Sequence, residues 1–452
     1  MDPAADTALR RRTFGWMMFD WASQPFYTLL LTFIFGPYFA EVAAAHFAAA
    51  GEAAPEARAQ SLWSLGQTVT GLGIAILAPF VGALADTAGR RTAWVAGFSV
   101  LYLAGTAGLW LLAPDGAFLV GALVLFGIAL VGAEFATIFT NAMLPSLGPP
   151  ERIGRVSGAG FALGYAGGVL ALFAMLLLFA ESAAGTTLLG APPALGLDPE
   201  AREGTRFVGP FTALWYALFM IPFFVLVREP AGGSMSLARA WAGLKSTVAG
   251  ARGRPSLLAF LAGSMLYRDA LVALYAFGGV YAALVLGWEV TQIGVFGIAG
   301  AITAALASWA GGRLDGRYGP RPVIVGAIAI LTAVCCVLVG MDRTTFLGLP
   351  LAEGSRVPDI ALYALGALIG GAGGVLQAAS RTLMVLHAGD RPTEAFGLYA
   401  LSGKATAFLA PGLIGLATLA TGSPRLGLIP LIPLFLSGLL LLVWVRPYGD
   451  RT

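Results

Sequence analysis

Twelve separate stretches of this chain run for about twenty residues almost free of charge, and nothing else in the sequence constrains its folding so tightly. A helix takes about 20 mostly apolar residues to cross a hydrocarbon core, and only helices or closed barrels satisfy their backbone polar groups there. The stretches lie near 14–40, 61–85, 92–113, 117–145, 155–180 and 207–227, then 256–286, 290–312, 322–340, 359–386, 395–420 and 426–446. Of 452 residues, 58% are hydrophobic and 11% charged, against roughly 25% charged in soluble domains. A soluble enzyme, a nucleic-acid binder and a disordered chain are thereby excluded, and a net charge of +3 is too small to hold a polyanion. The expected fold is an all-α membrane protein of twelve transmembrane helices, with no enzymatic activity, no cofactor and no metal.

Basic residues orient such a chain. Of the 27 lysines and arginines, Arg268, Arg381 and Lys404 fall within spans, and Arg58, Arg202, Arg206, Arg343, Arg356 and Arg425 fall on one side. The remaining eighteen, among them Arg10, Arg90, Arg91, Arg254, Arg321 and Arg446, fall on the other. Both termini are therefore expected in the cytoplasm, with 46–60, 182–206 and 342–358 as external loops. The run from Phe14 to Ala40 is too long for a cleavable signal. Residues 229–255 form the longest internal segment and divide a first half, 1–228, from a second, 256–452.

That division coincides with a repeat. Gly82-Ala-Leu-Ala-Asp86-Thr-Ala-Gly89-Arg90-Arg91 follows the second span, and Gly312-Arg-Leu-Asp315-Gly316-Arg-Tyr-Gly319-Pro320-Arg321 follows the eighth. Glu151-Arg-Ile-Gly154 is echoed by Glu394-Ala-Phe-Gly397. Six plus six spans with repeated loops is a transporter layout.

The first of these loops resembles the signature of the major facilitator superfamily. Other stretches resemble its branch of fungal vacuolar amino-acid effluxers linked to autophagy: Phe19-Asp20-Trp21-Ala22-Ser23, Val156-Ser157-Gly158, Ala162-Leu163-Gly164-Tyr165, Leu266-Tyr267-Arg268-Asp269, Gln377-Ala-Ala-Ser380-Arg381, Phe396-Gly397-Leu398-Tyr399 and Ser402-Gly403-Lys404. The resemblance implies two pseudo-symmetric six-helix halves and amino-acid transport. It also implies that Asp86 faces the start of helix eleven in the closed inner gate, with Arg90 and Arg91 pairing with carboxylates such as Glu394. In the second loop Gly316 replaces the signature aspartate and Asp315 stands one residue early. Gly82, Asp86, Gly89, Arg90, Arg91, Asp315, Gly319, Arg321 and Glu394 make up the expected gating set.

Ionisable groups inside a bilayer are costly and face a cavity or a partner. Six occur: Asp20, Glu134, Arg268, Asp269, Arg381 and Lys404. Asp20, Gln24 and Tyr27 share a stripe on helix one, with Pro25 placed to bend it. Glu134, Thr137 and Asn141 share a stripe on helix four, and Gln377, Ser380 and Arg381 share a face of helix ten. Arg268 and Asp269 are adjacent and point about 100° apart. In the superfamily, helices one, four, seven and ten line the central cavity.

The first half contributes two acids and the second three cations and one acid, a division that suits a zwitterion. The alternatives are charge pairs that hold a gate, or a proton relay. His46 and His387 read as boundary residues, Cys335 and Cys336 as apolar filler, Trp110, Trp288 and Trp444 as interface anchors, and Gly370–Gly374 as a close helix contact.

The reading that follows is a monomeric secondary transporter of a small polar solute. By the resemblance the solute is an amino acid, exported with proton coupling across a bacterial-type inner membrane. A lipid translocase or lipid-binding protein and a non-transporting receptor or scaffold are the rival classes.

Overall fold

The computed structural model describes residues 3–87, 90–148, 150–229, 253–388, 399 and 402–446. Within them twelve helical segments are long and apolar enough to span a membrane. We number them one to twelve: Thr7–Ala49, Pro55–Ala78, Arg91–Leu111, Leu119–Met143, Ala159–Leu178, Glu203–Leu226, Pro255–Leu286, Val290–Tyr318, Pro320–Val339, Val357–His387, Ser402–Thr421 and Leu426–Trp444. Many large apolar side chains on these helices are exposed, including Val69, Val100, Val120, Leu306 and Leu416. Lipid is the solvent that tolerates such a surface.

Several sequence expectations are corrected. Helix one continues to Ala49 and helix two begins at Pro55, which shrinks the loop expected at 46–60 to a few residues. The alanines that follow Val42 are strong helix formers, so the helix runs on past its apolar stretch. The two repeated loops are also mostly helix. Helix two continues to Thr87, through Gly82 and Asp86, and helix eight to Tyr318. The second turn comes only at Gly319, whose φ of +81° is open to glycine at little cost.

Helix one is not uniform. It is α-helical to Pro25, widens into a π-helical stretch over Phe26–Phe33, and resumes as an α-helix at Phe35. The Ile34 N–H donates to the Leu29 carbonyl, five residues back, at 2.9 Å. The expected disturbance at Pro25 thus takes the form of an insertion in the hydrogen-bond ladder. Helix eleven, read from sequence as one run, is interrupted by a turn at 406–408 and restarts at Leu409.

The fold divides into two compact units, 1–35 with 76–245 and 36–75 with 246–452. Residues 36–75 pack with the second unit. There Gln60 Nε2 donates to Thr418 Oγ1 at 2.7 Å and to the Pro424 carbonyl at 2.9 Å. Small residues carry the same contact further: a Cβ on Gly71 would sit 2.9 Å from the Ala407 carbonyl, and one on Gly415 2.9 Å from Ser64 Cβ.

Glycine-mediated approach also organises each unit internally. In the first, a Cβ on Gly132 of helix four would lie 2.6 Å from the Tyr102 backbone nitrogen of helix three. In the second, a Cβ on Gly370 of helix ten would lie 2.1 Å from the Gly300 carbonyl of helix eight. The Gly370–Gly374 run therefore lets two backbones touch.

The segments expected to be external are built rather than loose. Glu181 is buried and accepts from Thr205 Oγ1 at 2.6 Å, from the Thr205 N–H and from Arg202 Nε at 3.0 Å. Trp288, expected at an interface, is buried, and its Nε1 donates to Asp359 at 2.6 Å. Segment 342–358 folds as a small hairpin, β1 Thr345–Phe346 against β2 Leu349–Pro350.

Asp342 begins the hairpin. Partial burial would raise its carboxyl, but hydrogen bonds from the Thr344 hydroxyl and N–H and from the Thr345 N–H outweigh burial and hold it below its ordinary value of 3.8. Arg425 pairs with its other oxygen at 2.6 Å. A depressed carboxyl contributes stability above its unfolded value and loses it as pH falls through the folded one. Thermal unfolding in detergent should therefore show the protein weakening as pH falls through and below the ordinary carboxylate value of 3.8, and part of that slope should vanish in Asp342→Asn. Identical slopes in both proteins would refute the assignment.

Candidate functional site

The stretches that carried the family resemblance are far apart in sequence, and the fold gathers most of their described residues into two clusters, one in each unit. In the first unit, helix five lays a row of small residues on helix one. A Cβ on Gly160 would fall 2.5 Å from Asp20 Oδ2, one on Gly164 3.2 Å from Asp20 Cβ, and one on Gly168 2.9 Å from Gln24 Cγ. Asp20 and Gln24 are half-buried along this seam. Tyr27, one turn on, lies in the π-helical stretch and donates its hydroxyl to Glu134 Oε1 at 3.1 Å. Glu134 is buried, whereas Asn141 on the same helix is exposed. A carboxylate is thus held in mid-helix, with a neutral donor on one of its oxygens.

In the second unit, helix seven supplies Tyr267, Arg268 and Asp269, and the three point in different directions. Tyr267 and Ser380 of helix ten share a hydrogen bond at 2.8 Å, both side chains being fully buried. Arg268 donates to the Tyr399 carbonyl at 3.1 Å, and its guanidinium carbon lies 4.2 Å from the centre of the Tyr399 ring. A Cβ on Gly403 would come within 2.9 Å of that guanidinium. Glycine at 403 therefore makes the space in which the cation rests, and the ring face is its electrostatic complement. Tyr399 is stacked in turn on Phe260, with centroids 5.8 Å apart. No described carboxylate forms an ion pair with Arg268.

Asp269 has another task. Its Oδ2 accepts the backbone N–H of Ala410 at 2.9 Å, and the side chain is buried. Ala410 is the second residue of the segment of helix eleven that restarts at Leu409, so Asp269 satisfies an orphan donor in its first turn and sits at the favourable end of its dipole. Asp269→Asn keeps an acceptor but loses charge and should cost about 1 kcal/mol. Asp269→Leu strands the N–H and should cost about 1–3 kcal/mol. Melting temperatures in detergent should follow that order, and a Leu variant as stable as wild type would remove the capping role.

The other expected residues are placed as follows. Gln377, Arg381 and Lys404 are half-buried. Asp315 accepts from the Thr382 hydroxyl at 3.1 Å, which ties the end of helix eight to helix ten. Arg321 donates to the Val443 carbonyl at 3.3 Å. Arg90 is exposed and precedes helix three, which Arg91 begins. Glu229, one residue past the first half, accepts from the Thr92 N–H at 2.8 Å. Gly89, Glu394 and linker residues 230–252 lie outside the described residues, as does the Asp86 side chain.

Three participants were not read from the sequence as partners: Tyr399 and Gly403 around Arg268, and the Ala410 N–H for Asp269. For Tyr399 and Gly403 the sequence signal was the resembling stretches Phe396-Gly397-Leu398-Tyr399 and Ser402-Gly403-Lys404. His387, set aside as a boundary residue, is fully buried and shares a 2.8 Å hydrogen bond with Ser256.

Comparison with known proteins bears on this arrangement. A family model described as vacuole effluxer Atg22 like matches residues 8–448. A Bacillus subtilis protein described as the uncharacterized MFS-type transporter YxiO is 26% identical over 441 residues, 95% of this chain and 94% of its own. Among solved structures, a D-xylose–proton symporter aligns with a TM-score of 0.64 at 14% identity over 97% of both chains. A bacterial homologue of the iron transporter ferroportin aligns with a TM-score of 0.62 at 14% identity, covering 97% of this chain and 99% of that one. The human organic anion transporter TETRAN gives 0.57 at 18% identity, covering 96% and 99%. At these identities the solved structures speak to the fold, the twelve-helix arrangement of major facilitator transporters.

Proposed function

Because the chain belongs to the vacuole effluxer Atg22-like family of major facilitator transporters, we propose that it is a secondary transporter that exports a small zwitterionic solute, an amino acid, coupled to protons. The observation that carries this reading is Arg268. An arginine half-buried in mid-span, stacked on a tyrosine and free of a described counter-carboxylate, is a ready site for a carboxylate from outside the protein. Charge-assisted, two-pronged hydrogen bonding to a planar carboxylate is what a guanidinium does better than an ammonium. Glu134, held by Tyr27 in the first unit, is the group for the coupling proton. The family description favours export, and the resemblance of the sequence to vacuolar amino-acid effluxers favours an amino acid. The arginine bias favours cytoplasmic termini, and the Bacillus relative favours a bacterial cytoplasmic membrane. We place the protein there as a monomer.

The test is a thermal-shift screen of the purified protein against amino acids, the corresponding amines without a carboxylate, sugars and dispersed lipids. A ligand at a hundred times its Kd stabilises by about 2.7 kcal/mol. At least one amino acid should raise the melting temperature and its decarboxylated amine should not. Stabilisation by a sugar alone, or by amine and amino acid alike, would replace this reading. Stabilisation by lipid alone would favour a lipid-handling protein.

A further inference from the structure

At one end of the second unit, the starts of helices seven and nine and the end of helix twelve enclose a cleft of about 420 Å³ lined by Pro255, Ser256, Arg321, Val443, Trp444, Val445 and Arg446. Two of its walls are arginines, and no carboxylate lines it among the described residues. Arg321 spends one donor on the Val443 carbonyl, at 3.3 Å. The floor is rigid. Ser256 Oγ accepts the backbone N–H of Arg446 at 2.8 Å and shares a hydrogen bond with buried His387 at 2.8 Å. The arginine bias of the sequence assigns this end to the cytoplasm.

The surroundings of the cleft are apolar on the other side. Leu436, Leu440 and Val443 stand four and three residues apart, one stripe of helix twelve, and are 47%, 60% and 63% exposed. Leu258, one turn into helix seven, is also exposed. Trp444 is 60% exposed at the junction between stripe and arginines, the level at which tryptophan marks the headgroup region of a bilayer. A ligand that fits is anionic at one end and hydrocarbon at the other.

We infer that this cleft is a binding site for an anionic phospholipid, its phosphate held by Arg321 and Arg446 and its acyl chains lying along the Leu436–Leu440–Val443 stripe. Basic pockets between spans on the cytoplasmic side suit such headgroups, and a guanidinium donates two parallel hydrogen bonds to a phosphate. The position is outside the Arg268 and Glu134 clusters and independent of the transported solute.

The experiment uses the full chain in detergent, with native mass spectrometry and thermal unfolding as readouts. The probes are phosphatidylglycerol, phosphatidylcholine with the same acyl chains, and inorganic phosphate. Wild type should retain and be stabilised by phosphatidylglycerol in preference to the other two. Each of R321Q and R446Q should weaken that preference about fivefold, and the double variant about 25-fold. The R321K/R446K variant should keep more of it than the glutamine pair. Equal retention of phosphatidylcholine, an undiminished preference in R321Q/R446Q, or saturation by inorganic phosphate alone would overturn the inference. Should the double variant fail to fold, R446Q alone decides, since that side chain is exposed at the end of the last span.

Discussion

Glu134→Gln is expected to abolish uphill accumulation of the solute in proteoliposomes while leaving its exchange across the membrane intact. Glu134 is 7% exposed in the middle of helix four, where a carboxylate needs a partner or a proton. Tyr27 supplies one hydrogen bond, at 3.1 Å, from a hydroxyl that carries no charge. Glutamine has nearly the same shape and still accepts that bond, so the fold and the solute site should survive. It cannot bind and release a proton, so only the coupled, energy-requiring mode should fail. The measurement is paired: accumulation driven by an imposed pH gradient, and counterflow of labelled solute without one. Equal loss of both would make Glu134 a binding or folding residue. Full retention of both would remove it from coupling altogether.

Arg268→Gln should weaken solute binding about ten- to hundredfold, the loss of one charge-assisted contact of about 1.5–3 kcal/mol. Arg268→Lys should fall between wild type and Gln. Lysine keeps the charge, but it cannot lie flat on the Tyr399 ring and present two parallel donors. Gly403→Ala tests the same geometry from the opposite side. Its new Cβ would meet the guanidinium at 2.9 Å and push a flexible side chain out of place without touching its charge. Affinity should drop in Gly403→Ala with little change in melting temperature, because the atoms that must move are the tip of an arginine. Titration by thermal shift or calorimetry reads all three. An Arg268→Gln protein that binds amino acids as tightly as wild type would sink the carboxylate role.

The expected stripes were only partly what the fold uses. Asp20 and Gln24 share one side of helix one, as a 3.6-residue period requires. Asp20 and Gln24 face the glycine row of helix five, while Tyr27, inside the π-helical stretch, turns to Glu134 on helix four. A single inserted residue in the ladder rotates everything after it, and no periodicity count that assumes a regular helix can register that. Arg268 and Asp269 were read as pointing apart, and they do. Which of them would be left for a ligand was not decidable, because it depends on a turn at 406–408 that frees the Ala410 N–H for Asp269.

What the sequence determined by itself is the class: twelve spans, their approximate limits, the arginine bias and the family. Those follow from local quantities, since hydrocarbon admits only long apolar helices and each span declares itself within twenty residues. Only the tertiary structure decided which partners Arg268, Asp269 and Glu134 meet, where helices break, and that residues 36–75 pack with the second unit. Those outcomes depend on backbones brought within a few ångströms by glycines on different helices, such as Gly164 beside Asp20 and Gly403 beside Arg268. A missing side chain records that something comes close, and only the fold says what.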